Sequence, residues 1–108
     1  MTSIHPDLDF MQAGAQQAAD LMRLLSNPHR LILLCLLIEH REMSVGAMQA
    51  QLDLSQSALS QHLARLREES LVQCRRESQT IYYSLADQRV ATIVGTLKSV
   101  FCPSGVER

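Results

Sequence analysis

The three cysteines carry the most reactive side chains of this 108-residue sequence. Cys35 lies inside the apolar run at residues 31–38, Cys74 precedes a pair of arginines, and Cys102 precedes a proline. A thiol can be oxidised, form a disulfide or ligate a metal, and burial lowers its reactivity because it disfavours the thiolate. From the residues alone, Cys35 is either a small hydrophobic core residue or one half of a sensing pair with Cys102. The role of Cys74 stays open.

Histidines are the next candidates for chemistry, as metal ligands. The four histidines stand at positions 5, 29, 40 and 62, and none has a partner at ligand spacing along the chain. Residues 44–51 contain no cysteine, and residues 87–101 contain one acidic residue, Asp87, and no histidine. A zinc or transition-metal site needs several such ligands close together. We therefore expect no metal site and no bound cofactor.

Hydroxyl and amide side chains cluster between residues 55 and 69. Leu59, Leu63 and Leu66 recur at helical spacing, which predicts a buried stripe on one side of a helix. The other side and its flanks carry side chains that can donate and accept hydrogen bonds, as base edges in the major groove of DNA require. Any solvated helix face has a similar composition, so the interpretation depends on the neighbouring elements. These candidate DNA-contacting residues are Gln56, Ser57, Ser60, Gln61, His62 and Arg65.

Arg75 and Arg76 follow this helix in a predicted hairpin. The net charge is −1 and the isoelectric point about 6.4, so no overall positive field attracts nucleic acid. A DNA-binding surface must then use local cations. We expect Arg75 and Arg76 to contact the DNA backbone or minor groove; the alternative is that they keep an exposed strand edge soluble.

The elements that position these residues follow from periodicity and capping. Asn27 and Pro28 predict the start of a second helix, which ends in the polar stretch 39–42, and Ser44 and Ser55 predict two further helix starts. Two helices joined by the short turn 52–54 form a helix-turn-helix. The predicted helices are 7–25, 28–39, 44–51, 55–69 and 87–101, and the predicted strands are 72–76 and 80–85. The order ααααββα is mainly α with a β-hairpin wing: a winged helix-turn-helix.

Length and composition bound the remaining possibilities. The chain is predicted to be a single domain over residues 1–108, with flexible tails at 1–8 and 103–108. The first residues lack the basic segment of a secretion signal, and the longest apolar run is too short to cross a bilayer, so we expect a cytoplasmic protein with reduced thiols and no membrane partner. No glycine-rich phosphate loop or nucleophile–base spacing favours an enzyme.

Three segments resemble the ArsR/SmtB family of bacterial repressors: SNPHRLILLCLL, LSQSALSQHLARLREESLV and RRESQTIYYSL. The resemblance covers roughly residues 15–102. It implies a homodimer built through the first and last helices that binds double-stranded DNA at an imperfect palindromic operator, with half-sites about one helical turn apart. It also assigns operator contacts to five positions of the fourth helix: Gln56, Ser57, Ser60, Gln61 and His62.

Cys35 and Cys102 are similar to the cysteine pair of the persulfide- and redox-responsive branch of that family. The resemblance implies that oxidants or reactive sulfur species link the two thiols and weaken DNA binding. Three alternatives stay open: a winged-helix regulator without thiol sensing (constitutive or anti-silencing), a metal-responsive repressor, and a protein-interaction module. The last of these predicts no salt-dependent affinity for duplex DNA.

Overall fold

The computed structural model describes residues 6–101; residues 1–5 and 102–108, which include Cys102 and most of the two predicted tails, lie outside the described residues. The first helix, α1, consists of Pro6–Asp9, a π-helical stretch Phe10–Gly14 and Ala15–Leu25. The other elements are α2 (Pro28–His40), β1 (Glu42–Ser44), α3 (Val45–Gln51), α4 (Gln56–Glu68), β2 (Val72–Glu77), β3 (Thr80–Leu85) and α5 (Gln88–Phe101). The predicted winged helix-turn-helix is confirmed, with one additional strand.

Side-chain caps fix the starts of three helices at the predicted residues. The Asn27 side-chain oxygen accepts hydrogen bonds from the backbone N–H groups of His29 and Arg30, at 2.9 and 3.1 Å, and Pro28 occupies the first turn. Ser44 Oγ caps α3 and Ser55 Oγ caps α4 in the same way, each accepting from an N–H three residues later. Each cap satisfies a helix N–H that has no partner within the helix.

The hydrophobic core lies around α2, which packs against α1, α4, α5 and two strands. Its Leu33, Leu34 and Leu37 are almost completely buried, whereas Ile32 on the same helix is 45% exposed. The predicted stripe of α4 is buried as well. The core also takes side chains from α3 and α5, and its most deeply buried members are Leu33, Leu34, Leu37, Met48, Leu59, Leu63, Leu66 and Val90.

Strand β1 is the element that the sequence analysis missed. Residues 39–42 were expected to form a polar end to α2, but Glu42–Ser44 pairs antiparallel with β3, so the sheet has the order β1-β3-β2. Three residues are too few to show the period-two alternation of a strand. The strand forms because Met43 enters the core, where it is 6% exposed, and because the free edge of β3 offers hydrogen-bond partners.

The two faces of the sheet have different roles. Val72 and Met43 are buried on the inner face, where Tyr83 packs against the core. Because side chains alternate along a strand, Glu42 and Arg75 lie on the outer face. The turn between β2 and β3 places Ser78 in the left-handed region, with φ of 58°.

Taken singly, no helix within residues 6–101 combines the length and apolar content needed to cross a bilayer. One pair, Asp7–Leu25 with Pro28–His40, reaches those values together but is bent by 95° at the break.

Candidate nucleic-acid interface

The outer face of α4 is polar and open to solvent. Ser57, Ser60 and Gln61 are exposed there, on the side of the helix opposite Leu59 and Leu63, which are buried. Gln56 and Arg65 are exposed on the same helix, and His62 is half-buried. The structure thus leaves five of the six predicted contact residues of α4 exposed and His62 half-buried, and their contact with DNA stays a prediction.

The turn between α3 and α4 is held by a side chain that the sequence analysis did not single out. Gln49 Nε2 donates a hydrogen bond of 2.9 Å to the backbone oxygen of Leu54. This bond ties the last turn of α3 to the residue just before the Ser55 cap. It therefore helps to fix the angle at which α4 leaves the turn, which decides how its polar face is presented.

A cleft of about 680 Å³ separates α4 from the wing formed by β2 and β3. Gln56 and Ser60 line one wall, and Gln79 and Thr80 at the wing tip line the other. These side chains are uncharged hydrogen-bonding groups, which suit sugar and phosphate oxygens as well as base edges. The cleft thus presents hydrogen-bonding groups from two sides, from the helix and from the wing.

The two wing arginines differ in their surroundings. Arg75 donates from Nε and Nη2 to both carboxylate oxygens of Glu42, each at 2.8 Å, and from Nη1 to Glu77 at 2.9 Å. These bonds lower the pKa of the Glu42 carboxyl, because they stabilise its charged form. Arg76 is exposed and forms no ion pair with any side chain that the structure describes. The expected DNA contact of both arginines stays a prediction, but only Arg76 has a free guanidinium.

His62 lies against the start of α2. Its ring centroid is 5.7 Å from that of His29, a proximity that their spacing along the chain did not reveal. Burial lowers the pKa of His62, and the positive charges of Arg30 and His29 lower it further. Across residues 6–101, no three side chains among histidine, cysteine, aspartate and glutamate come together in a group that could hold a metal ion.

Cys35 borders an apolar pocket of about 370 Å³ between α2 and α5. The thiol is half-buried, and this burial raises its pKa, while the nearby Lys98 ammonium acts in the opposite direction. Phe101 lines the same pocket and directly precedes Cys102 in the sequence. Cys74 is a half-buried free thiol on β2, away from this pocket.

Large apolar side chains are exposed on the first and last helices. Met11 on α1 is 63% exposed, and Phe101 on α5 is 76% exposed. Contiguous exposed apolar surface on a small protein commonly marks a protein contact. Within the part of the chain that the structure describes, the exposed large apolar residues are Leu8, Phe10, Met11, Met22, Ile32, Val100 and Phe101.

The helix-turn-helix and its surroundings match a known protein family in sequence. Residues 27–73 match the family described as "Bacterial regulatory protein, arsR family". The matched segment contains α2, β1, α3, α4 and the start of β2, and so includes the whole helix-turn-helix.

The chain is also similar to individual regulators over most of its length. It is 44% identical to the HTH-type transcriptional regulator YgaV of Escherichia coli K12, over 90% of this chain and 98% of that protein. The crystal structure of the transcriptional regulator HlyU from Vibrio vulnificus CMCP6 superposes with a TM-score of 0.80 at 44% identity, covering 89% of this chain and 99% of the other. Reduced HlyU from Vibrio cholerae N16961 gives a TM-score of 0.80 at 40% identity, covering 87% and 98%.

Proposed function

The chain belongs to the arsR family of bacterial regulatory proteins and is a DNA-binding transcriptional regulator, and we propose that it is a homodimeric repressor whose operator affinity falls when Cys35 and Cys102 become linked. The polar face of α4 supports the DNA-binding part most directly, because Ser57, Ser60 and Gln61 are exposed on a helix that the Ser55 cap and the core hold rigidly. The family is not enzymatic.

In this proposal α4 is the recognition helix. Ser57, Ser60 and Gln61 hydrogen-bond to base edges in the major groove, and Gln56 and His62 contact the flanks of the same site. Arg65 and Arg76 supply the cations that contact the DNA backbone. Glutamine can pair with adenine through two hydrogen bonds, so Gln61 is the residue best suited to select a base.

Two copies joined through α1 and α5 would present two recognition helices related by a two-fold axis. Regulators of this family are generally dimeric, and the exposed apolar residues Met11 on α1 and Phe101 on α5 would be covered in such a dimer. An interface of this kind uses the same surface on both partners. The matching operator is an imperfect palindrome with half-sites about 34–36 Å apart, one turn of the duplex.

Thiol control is proposed from the position of Cys35. Its pocket is shared by Phe101, and Cys102 is the next residue in the sequence. Peroxide would take two electrons and two protons from the thiols, forming one S–S bond and two water molecules. With a low-molecular-weight persulfide, one molecule would transfer its outer sulfur to a cysteine and leave as a thiol. A second molecule would accept two electrons and two protons from that cysteine persulfide and the other thiol, leaving as a thiol and hydrogen sulfide. The resulting trisulfide spans a wider gap than a disulfide, whose Cα atoms must be within about 7 Å.

Such a link would change DNA affinity through the helices it joins. α2 packs against α4, and α5 carries part of the proposed dimer surface. A covalent tie between α2 and the end of α5 favours those arrangements of the dimer that it fits best. If the DNA-bound arrangement is not among them, the two recognition helices lose their common spacing and binding weakens.

The test compares reduced chains with chains treated with polysulfide or with peroxide. The duplex is enriched from a random pool by the reduced wild type, and cross-links are mapped by mass spectrometry. We expect treatment to weaken binding at least tenfold, about 1.4 kcal/mol, in the wild type and in the control Cys74→Ser, with a Cys35–Cys102 cross-linked peptide. Cys35→Ser and Cys102→Ser should retain full affinity. Release of DNA from either variant on treatment would refute thiol control and leave DNA binding intact.

One observation favours a second candidate, a regulator of the same family without thiol sensing. Cys35 is half-buried among apolar side chains and its pKa is raised, which disfavours the thiolate that reacts with oxidants. This candidate predicts equal DNA affinity before and after treatment in the wild type. The same experiment therefore separates the two functions.

A further inference from the structure

Four side chains on the outer face of the sheet form one connected group, which we call the Arg75 clamp: Arg75 and Glu77 on β2, Tyr82 on β3 and Glu42 on β1. Arg75 and Tyr82 are directly opposed in the register, and the guanidinium lies over the tyrosine ring, 4.5 Å from its centroid. From there it reaches across β3 to the Glu42 carboxylate. One side chain thus contacts all three strands.

We propose that Arg75 is a positioning residue: the Arg75 clamp fixes the angle between the wing and the helix-turn-helix, so that the neighbouring Arg76 meets the DNA backbone. This inference rests on the proposed binding of DNA by α4 and the wing. It replaces the expectation, drawn from the sequence, that Arg75 itself contacts the DNA backbone or minor groove.

The donors of Arg75 are already occupied. Its Nε and Nη2 form a bidentate pair with Glu42, and this is the edge with which an arginine binds a phosphate. Nη1 is bonded to Glu77. Since one guanidinium faces two carboxylates, the clamp as a whole is negatively charged, and a phosphate would have to displace Glu42 against that charge.

The clamp acts on the DNA-binding elements through β1. Ser44 ends β1, pairs with Tyr82 in the sheet and caps the first turn of α3. Any shift of β1 relative to β3 therefore moves the start of the helix-turn-helix relative to the wing. A single exposed ion pair contributes little to stability, but a bidentate pair stacked on an aromatic ring is better ordered than an isolated one.

Arg76 offers the matched comparison, because it follows Arg75 on the same strand but points to the opposite face. It is exposed, and no carboxylate in the described part of the chain forms an ion pair with it. Its guanidinium is available to DNA where that of Arg75 is not. The two arginines, adjacent in the sequence, thus have separate roles in this proposal.

The direction in which Glu42→Gln changes the affinity for DNA distinguishes the two roles considered for Arg75, positioning residue and phosphate ligand. The affinity for the enriched duplex is measured at several salt concentrations, with the thermal midpoint as a folding control. If the clamp positions the wing, the variant binds about fivefold more weakly, although it has lost a negative charge near DNA. If Arg75 is a phosphate ligand that Glu42 restrains, the variant binds more tightly and with a steeper salt dependence, and the proposal is overturned.

A double-mutant cycle with Arg76→Gln separates positioning from a general effect on stability. Arg76→Gln alone should weaken binding and reduce the salt slope by about one. In the Glu42→Gln background the same change should cost little, because the loosened wing no longer brings Arg76 to the DNA. Additive losses would overturn the proposal.

Glu77→Gln is the control, since it leaves the ion pair between Arg75 and β1 in place. This variant should bind the duplex within about twofold of the wild type. A loss of affinity equal to that of Glu42→Gln would contradict a clamp across the strands.

Hydrogen–deuterium exchange tests the clamp without DNA, so that its failure and that of the proposed DNA interface can be told apart. The clamp predicts faster exchange of the β1–β3 backbone amides in Glu42→Gln than in the wild type. Unchanged exchange would refute the clamp even if the wild type binds its duplex. If the wild type enriches no duplex although exchange is faster in Glu42→Gln, the proposed DNA interface is refuted and the clamp is not.

Discussion

At the scale of single residues, His62 connects the recognition helix to the start of α2. Its ring is half-buried beside His29, and its charged form is disfavoured by burial first and then by neighbouring positive charge. Protonation of His62 therefore works against the folded state. This loss of stability on protonation arises at the His62 imidazole, and it can be measured on the protein without DNA.

We predict that His62 makes the protein less stable in mild acid. Below the ordinary histidine pKa of about 6.5 the unfolded chain takes up a proton that the folded chain resists, so stability falls with falling pH. His62→Gln should flatten the change of the urea midpoint between pH 7.5 and pH 5. His29→Gln leaves the burial of His62 in place and should flatten it only in part. An unchanged pH dependence in His62→Gln would refute this assignment.

Residues close in sequence could be assigned from the sequence, and pairs distant in sequence could not. The buried stripe of α4 follows from spacings of three and four, which a helix fixes by its own geometry. The three capping residues follow from their residue types just before a helix start. Glu42 and Arg75 are separated by 33 positions, and their ion pair depends on a strand that the sequence did not reveal. The occupation of the Arg75 guanidinium therefore became visible only in the structure.

At the scale of elements, the polar face and the capped start of α4 are separable features. Ser55 and Ser57 are two residues apart and both exposed, but only Ser55 accepts a hydrogen bond from the helix backbone. Ser57 lies on the outer face of the helix. One serine therefore stabilises α4, and the other is proposed to contact DNA.

This division predicts opposite outcomes for two similar substitutions. Ser55→Ala should lower the free energy of unfolding by about 1 kcal/mol, because an N–H group in the first turn loses its acceptor. Ser57→Ala should change stability by less than about 0.5 kcal/mol and should weaken binding to the enriched duplex. Chemical denaturation and a binding titration on both variants measure this. Equal losses of stability in the two variants would contradict it.

The elements themselves were largely predictable, because three helix starts carry a capping residue, α2 contains a long apolar run and α4 has a periodic buried stripe. β1 is the exception. Its formation depends on an open edge of β3 and on space for Met43 in the core, and neither is a property of the three residues themselves. The prediction failed where a short element is stabilised by its tertiary partners alone.

At the scale of the whole molecule, the proposed function uses two surfaces of different composition. The polar face of α4 and the wing offer hydrogen-bonding groups, whereas the outer parts of α1 and α5 expose apolar side chains. Burial of the apolar surfaces between two copies would leave both polar faces free. Cys35 lies at the boundary of α2 and α5, and α2 also packs against α4, so the proposed covalent link could affect both surfaces.

The central claim, that the outer face of α4 reads base sequence, has one direct measurement: the ratio of affinities for the enriched duplex and for a scrambled duplex at the same salt concentration. This ratio should be at least tenfold lower for the double variant Ser60→Ala/Gln61→Ala than for the wild type, since a good base contact contributes about 1–3 kcal/mol of discrimination. The affinity of the double variant for the scrambled duplex should stay unchanged, and the control Gln88→Ala, an exposed glutamine on α5, should keep the full ratio. A double variant that discriminates between the two duplexes as well as the wild type would contradict the account.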